Sequence, residues 1–544
     1  MSAGLTADGW CFADIWEAVA DQLPDARCVV QGNLTRTWAE VDRRADGVAR
    51  TLLDAGAVHQ DKVAQYLYNC PAYVETLFAC FKSGLVPVNT NYRYTADELV
   101  YLWDNADAVA VVFHGTFASA CAAVRHRVPR VRTWLWVDDG TEACPPWAIP
   151  YEDAATSGTD RVAAPWGRSG DDLYLLYTGG TTGMPKGVMW RQDDLAVTLG
   201  QGLGLALPDA ADRALLDGRF AQPGPVGLPA CPLMHGTGAF STFGALSAGG
   251  SVALLESRTF DAIELWDTVE RERVNTIAIV GDAFAKPLLR ALEDHPGRWD
   301  LSSLLAIVSS GVMWSEPTKH GLLAHHPGML LIDAFSSSEA MGMGQSVSAS
   351  GQAAATATFQ LGPNTIVVND EGRPLEPGSG QVGRLAVGGR QPIGYYKDEE
   401  KSARTFLIVD GRRYSCPGDY ATVAADGAIT VLGRGSVCIN TGGEKVFPEE
   451  VEEVLKTHPA VADAAVVGLP HERFGETVAA VVEPKPAAAA DGAELIEHVR
   501  SRLAAYKAPR AVVVVESIGR APNGKLDYAR LRELAAGRVA GVHS

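Results

Sequence analysis

The feature that most constrains this chain is a repeated alternation of short apolar runs with stretches of helical period. Val63–Leu67, Leu85–Val88, Ala108–Phe113 and Thr133–Val137 read as strands, separated by helical patterns near 71–83, 96–105 and 116–126. A second round follows, with strands expected at Ser251–Leu255, Thr276–Val280, Leu304–Ser309 and Met329–Asp333. Strand and helix in turn imply a mostly parallel sheet covered by helices, so the fold class is α/β. Two such rounds within one large N-terminal domain predict two βα-layered sheets, stacked. Ahead of them, Phe12, Ile15, Trp16, Val19, Ala20 and Leu23 recur at helical spacing before Pro24. Val41, Ala45, Val48 and Leu52 do the same before Gly56.

The pattern changes at about 359–390, where short strands and glycine turns predict a small β subdomain. Gly378, Gly380 and Gly383 there spell a formal Gly-x-Gly-x-x-Gly. A dinucleotide fingerprint needs a strand before it and a helix after it, whereas prolines precede this one and a strand-like run follows, so it is a turn. Ala421–Val423 and Ile429–Leu432 around Asp426-Gly427 predict a hairpin with a type I′ turn. The flexible Gly433-Arg434-Gly435-Ser436 then divides the chain: 1–432 as the large domain, 433–436 as a hinge, and 437–544 as a small α+β C-terminal domain.

A length of 544 residues calls for at least two domains. The net charge of −18 argues against a nucleic-acid partner, and any polyanion must be held by local loops and lysines. Nine scattered cysteines without a Cys-x-x-Cys pair fit reduced thiols, and no signal peptide is read, so a cytoplasmic location is expected. No apolar run reaches the roughly 18–20 residues of a transmembrane helix.

Between the two rounds stands Tyr177-Thr178-Gly179-Gly180-Thr181-Thr182-Gly183-Met184-Pro185-Lys186-Gly187-Val188. Leu173–Tyr177 reads as a buried strand entering a glycine loop. Glycines let backbone N–H groups approach phosphate oxygens, threonines add hydroxyls, and Lys186 adds a point charge. No Walker A motif threads through it, because Pro185 stands where that motif needs glycine.

This stretch resembles the signature loop of the AMP-forming adenylating superfamily, with Gly180 where many members carry Ser. Later motifs recur in the family's order, so the resemblance covers essentially the whole chain. Among its branches the chain is most similar to actinobacterial fatty-acyl- and steroid-side-chain-CoA synthetases.

The resemblance implies that Thr178, Gly179, Gly180, Thr181, Thr182, Gly183 and Lys186 handle the phosphates of ATP. Asp333-Ala334-Phe335-Ser336-Ser337-Ser338-Glu339 matches the family's Tyr-Gly-x-Thr-Glu region. It sets Asp333, Ala334, Phe335, Ser336 and Ser338 around the nucleotide and makes Glu339, with Thr178, a ligand of Mg²⁺. Phe335 keeps the aromatic face without the hydroxyl, and Ser336 replaces Gly. Ser310, Gly311 and Val312 fit the wall of the adenine pocket. Asp419 corresponds to the aspartate that accepts both ribose hydroxyls, a task suited to a carboxylate. Arg434 corresponds to the ribose and phosphate arginine, and Ser436 stands at the family's hinge position. Gly442 and Gly443 fit passage of the pantetheine arm of CoA. Lys525, in Pro522-Asn523-Gly524-Lys525, matches the catalytic lysine. His235 stands where the family places a gate to the acyl pocket. Glu449, Glu450, Glu452 and Glu453 are read as first-turn carboxylates of a helix from Pro448, not as an acid–base pair.

The implied activity is ATP-dependent ligation of a carboxylic acid to CoA through an acyl-adenylate, releasing AMP and pyrophosphate, with the small domain rotating between steps. A medium- or long-chain or bulky hydrophobic acid is expected. Its pocket should lie between the His235 loop, Val280–Phe284, Ser310–Trp314 and Met341–Gly344. The acceptor is left open between CoA and a carrier protein. Activation of an aryl acid, nitrite-dependent diazotisation and non-catalytic nucleotide binding are the other readings. A homodimer is neither required nor excluded.

Overall fold

The computed structural model describes residues 9–158, 160–180, 183–202, 207, 212–441, 444–471, 475–486, 488–521 and 526–540. Packing divides the chain into two units: Met1–Ala354 with Val387–Ser415, and Ala355–Ala386 with Cys416–Ser544. The stretches 355–386 and 416–432, which the sequence pattern joins to the N-terminal domain, thus cluster with the second unit.

Two sheets form the first unit, as the two rounds of alternation predict. In one, the strands Val86–Asn89, Lys62–Tyr66, Ala108–His114, Thr133–Val137 and Ile149–Pro150 lie side by side and parallel. Every residue of Ala108–His114 is buried, as a parallel strand covered on both faces requires. In the other, six neighbouring strands run parallel: Arg27–Gln31, Ser251–Leu254, Val226–Pro229, Thr276–Ile279, Ala306–Ser309 and Leu330–Phe335. Two of these escape the sequence pattern. Arg27–Gln31 pairs with a local hairpin partner, Leu34–Thr37, and Val226–Pro229 carries a glycine and a proline that mask its period.

The helix Pro71–Ser83 fills the space between the sheets. Proline at its first position needs no N–H partner, Gly84 ends it in the left-handed region, and every residue in it is buried. It touches Arg27–Gln31 of one sheet and Lys62–Tyr66 and Val86–Asn89 of the other. Its two charged side chains stay inside only because they are paired, Glu75 with Arg44 at 2.7 Å and Lys82 with Asp46 at 2.6 Å and Asp42 at 2.7 Å.

The second unit contains a five-stranded sheet: Glu444–Val446, Ile439–Thr441, Gly475–Pro484 and Val461–His471, with Ala511–Val514 parallel to Gly475–Pro484. Separate apolar cores cover its two faces, one including Val451, Leu455, Leu495 and Val499, the other Leu531 and Ala535. The same unit holds the antiparallel pair Asp419–Val423 and Ala428–Arg434. Its turn is not type I′. Gly427 alone takes a positive φ of 84°, and the Gly427 N–H donates to Ala424 O at 3.0 Å while the Ala424 N–H donates to Ala428 O at 2.8 Å. That is a type I turn closed by a glycine bulge, which spares Asp426 the left-handed conformation a type I′ turn would impose. Among the described residues, no helix is long and apolar enough to cross a membrane.

Candidate active site

The glycine-rich stretch is more regular than an open loop. Leu173–Gly180 and Gly183–Arg191 pair antiparallel, with Thr178 opposite Lys186, and this hairpin extends the first parallel sheet through Val88 and Leu175. Thr181 and Thr182 at its tip lie outside the described residues. Side chains alternate along a strand, so Lys186, Val188 and Trp190 share one face. Along its other edge runs the short strand Gly394–Tyr395, with Tyr395 opposite Val188.

That face carries the polar groups of interest. The Tyr395 hydroxyl donates to Glu339 Oε1 at 2.8 Å, and Trp190 Nε1 donates to the Ser338 carbonyl at 2.9 Å. The Lys186 ammonium is ion-paired with Asp398, which also caps the following helix Glu399–Thr405 by accepting from the Lys401 N–H at 2.9 Å. Lys186 holds the Asp398 carboxyl below the usual carboxylate range, with the capping hydrogen bond adding to the effect. Lys186 and Glu339 are thereby tied to one five-residue segment, 394–398. Neither Tyr395 nor Asp398 stands out in the sequence.

Phe335 ends its strand paired with Gly344 of the antiparallel strand Gly344–Ser348, so the Ser336–Glu339 segment forms part of a hairpin tip. A tight turn closes it: the Ser337 N–H donates to Ala340 O at 2.8 Å, and Ser336 Oγ accepts from the Gly342 N–H at 3.1 Å. Asp333, expected to face the nucleotide, instead turns its carboxylate inward to Lys319 Nζ at 3.2 Å, both side chains being buried. Burial pushes its pKa up to about 6 despite that lysine. Any part Asp333 takes in ligand binding therefore falls to its backbone.

Three of the four segments expected to frame an acyl pocket meet. A methyl group added at Gly311 would sit 3.7 Å from Val280 Cγ1 and 3.9 Å from Thr237 Oγ1. Gly281, at a φ of 55°, runs so close to the Val312 and Met313 carbonyls that a side chain would collide with them. Ser309 Oγ accepts from its N–H at 2.9 Å, placing Ser310–Val312 beside the start of the helix Asp282–Asp294. His235, half-buried, precedes the helix Gly236–Ser247, and a methyl at Gly236 would lie 3.7 Å from Ser338 Oγ. The His235 turn and the Glu339 loop are therefore neighbours. Gly342 in the fourth segment is exposed, and a methyl group added there would meet nothing within 4 Å.

In the second unit, Asp419 and Arg434 are cross-strand partners, with Arg434 Nε 3.3 Å from Asp419 Oδ1 and the carboxylate buried. The expected helix is Pro448–Lys456, but its glutamates are not alike. Glu450 pairs with Lys507 and Glu453 with Lys456, while Glu452 is buried and Glu449, half-buried as a residue, has its Oε2 enclosed. The Glu449 carboxyl fills the space beside Gly433, and burial, reinforced by Glu452, pushes its pKa up to about 8. A first-turn position predicts only a solvated carboxylate; which helix face turns inward is set by the sheet beneath. Gly442, Gly443 and Lys525 lie outside the described residues.

Comparison with known proteins covers both units. Residues 16–396 match the family described as AMP-binding enzyme, and residues 450–525 match the AMP-binding enzyme C-terminal domain. The chain is 42% identical to a 3-oxocholest-4-en-26-oate–CoA ligase of Rhodococcus rhodochrous, over 95% of this chain and 94% of that protein. It is 40% identical to a medium/long-chain-fatty-acid–CoA/3-oxocholest-4-en-26-oate–CoA ligase of Mycolicibacterium smegmatis, over 98% of each. Among solved structures, the anthranilate CoA ligase AuaEII in complex with anthranoyl-AMP superposes with a TM-score of 0.83 at 21% identity, covering 98% of this chain and 99% of that one. ATP-bound MatB from Rhodopseudomonas palustris gives 0.78 at 25% identity, covering 96% and 98%.

Proposed function

The chain belongs to the AMP-binding enzyme family, and from that premise we propose that it is an ATP-dependent carboxylic acid–CoA ligase acting on a medium- or long-chain fatty acid or a steroid side-chain acid. The observation that carries this reading is the joining of Lys186 and Glu339 through one short segment, in a unit whose His235 turn packs against the same loop. A substrate of that class is supported by relatives that match this chain along nearly their whole length.

In the first half-reaction the substrate carboxylate attacks the α-phosphate of ATP, an acyl–phosphate bond forms as the bond to pyrophosphate breaks. Negative charge spreads over phosphoryl oxygens, so the protein's task is placement and electrostatic stabilisation. Lys186 is one cation for that charge; to take it up, its ammonium exchanges Asp398 for a phosphate. Lys525 is assigned as the second cation, acting in this step. In the second half-reaction the CoA thiolate attacks the acyl carbon and AMP leaves. Asp419 and Arg434 are assigned to the ribose, and Gly442 and Gly443 to passage of the pantetheine arm.

The donors present fit Mg²⁺. Glu339 and Thr178 offer hard oxygens, and no cluster of three His, Cys, Asp or Glu side chains exists among the described residues to form an all-protein cage. A cation bound there through one carboxylate would neutralise phosphate charge. Pyrophosphate release measured against a panel of acids tests the function: turnover should need a hydrophobic acid and fall off towards acetate. Equal turnover without acid, or none with any acid, would overturn it.

A further inference from the structure

Glu339 is the first acidic residue of its loop, yet nothing in that loop fixes the direction of its carboxylate. The fixing group comes from 56 residues further on, where Tyr395 donates its hydroxyl to Glu339 Oε1 at 2.8 Å. Tyr395 is itself firmly held. Its side chain is 3% exposed and packs in the main core, beside Phe406 at 5.9 Å between ring centroids. Its N–H donates to Ser402 Oγ at 2.8 Å, and Ser402 Oγ in turn donates to the Asp398 carbonyl at 2.6 Å. Lys401 Nζ lies over its ring, 4.4 Å from the centroid. The backbone of Tyr395 is clamped to the strand bearing Lys186, so hydroxyl and ammonium are presented from one rigid ribbon.

We propose that Tyr395 is a positioning residue for the metal–nucleotide site: its hydroxyl occupies one oxygen of Glu339 and aims the other at the cation accompanying ATP. This rests on the assignment of Glu339 as a metal ligand. The physical reason is that a carboxylate held by a hydrogen bond keeps one orientation, whereas a free one rotates and takes up alternative partners; losing such an outer partner typically costs about 10–100-fold in metal affinity. The tyrosine touches neither metal nor substrate itself, so it acts through Glu339.

Tyr395→Phe removes the oxygen and leaves the ring in the core. Binding of ATP to the full-length protein, measured by calorimetry in Mg²⁺ and again in EDTA, separates the roles. The variant should bind ATP about tenfold more weakly in Mg²⁺ and with unchanged affinity in EDTA, because only the metal-dependent part passes through Glu339. Equal weakening in both conditions would show a merely structural tyrosine, and no weakening in either would show an idle hydrogen bond; both overturn the proposal. If Glu339→Gln also leaves Mg²⁺-dependent binding unchanged, the metal assignment itself fails, which distinguishes that error from an error about Tyr395.

Discussion

At the scale of residues, chemistry was legible where a motif carries it locally and hidden where partners are remote. Thr178, Lys186 and Glu339 stand out because their types and neighbours suit phosphate and metal. Tyr395 and Asp398, which hold Glu339 and Lys186, are 56 and 212 residues from them in sequence, and no local pattern encodes that meeting. Glu449 shows the same limit. Its carboxyl is pushed up to about 8 from 4.5, chiefly by burial, so the folded protein retains a proton that the unfolded chain gives up. Between those two values unfolding releases a proton, and stability must fall as pH rises from about 4.5 to about 8, then level off. Glu449→Gln cannot ionise; its thermal midpoint should match wild type near pH 5 and exceed it by several degrees near pH 8.5. Scanning calorimetry at the two pH values checks this, and a difference independent of pH would show that Glu449 is charged throughout.

Among the elements, long runs of buried apolar residues were read correctly because their period needs no partner to be visible. Of the six parallel strands in the second sheet, the two missed, Arg27–Gln31 and Val226–Pro229, owe their state to the sheet around them. The hairpin at Asp426-Gly427 shows turn chemistry fixing the place of a turn but not its type. The helix Gly236–Ser247 gives a test in which two effects oppose. Replacing a helical glycine with alanine ordinarily gains up to about 1 kcal/mol. At Gly238, however, a methyl group would run into the backbone carbonyl of Pro232, in the turn that carries His235. A backbone atom cannot step aside as a side chain can, so collision wins: Gly238→Ala should lose about 1–3 kcal/mol in denaturant unfolding. A stabilised variant would mean that the helix does not press on the His235 turn.

For the whole molecule, the fold class and the order of motifs follow from the sequence, and similarity along nearly the full length of the ligases joins both units to one activity. Assigning Lys525 to the first half-reaction alone makes a kinetic prediction. Lys525→Ala should lower acyl-adenylate formation by about 10²–10³-fold. Supplied with synthetic acyl-adenylate and CoA, it should form thioester at nearly the wild-type rate; equal loss in both steps would contradict the assignment. The central claim is that one chain activates a hydrophobic acid with ATP and passes it to CoA. Its most direct test is mass-spectrometric product analysis after incubating the protein with ATP, Mg²⁺, CoA and either a long-chain fatty acid or a steroid side-chain acid. The account predicts acyl-CoA and AMP in equal amounts, both dependent on the acid. Acyl-adenylate that accumulates without thioester, or AMP formed without the acid, would contradict it.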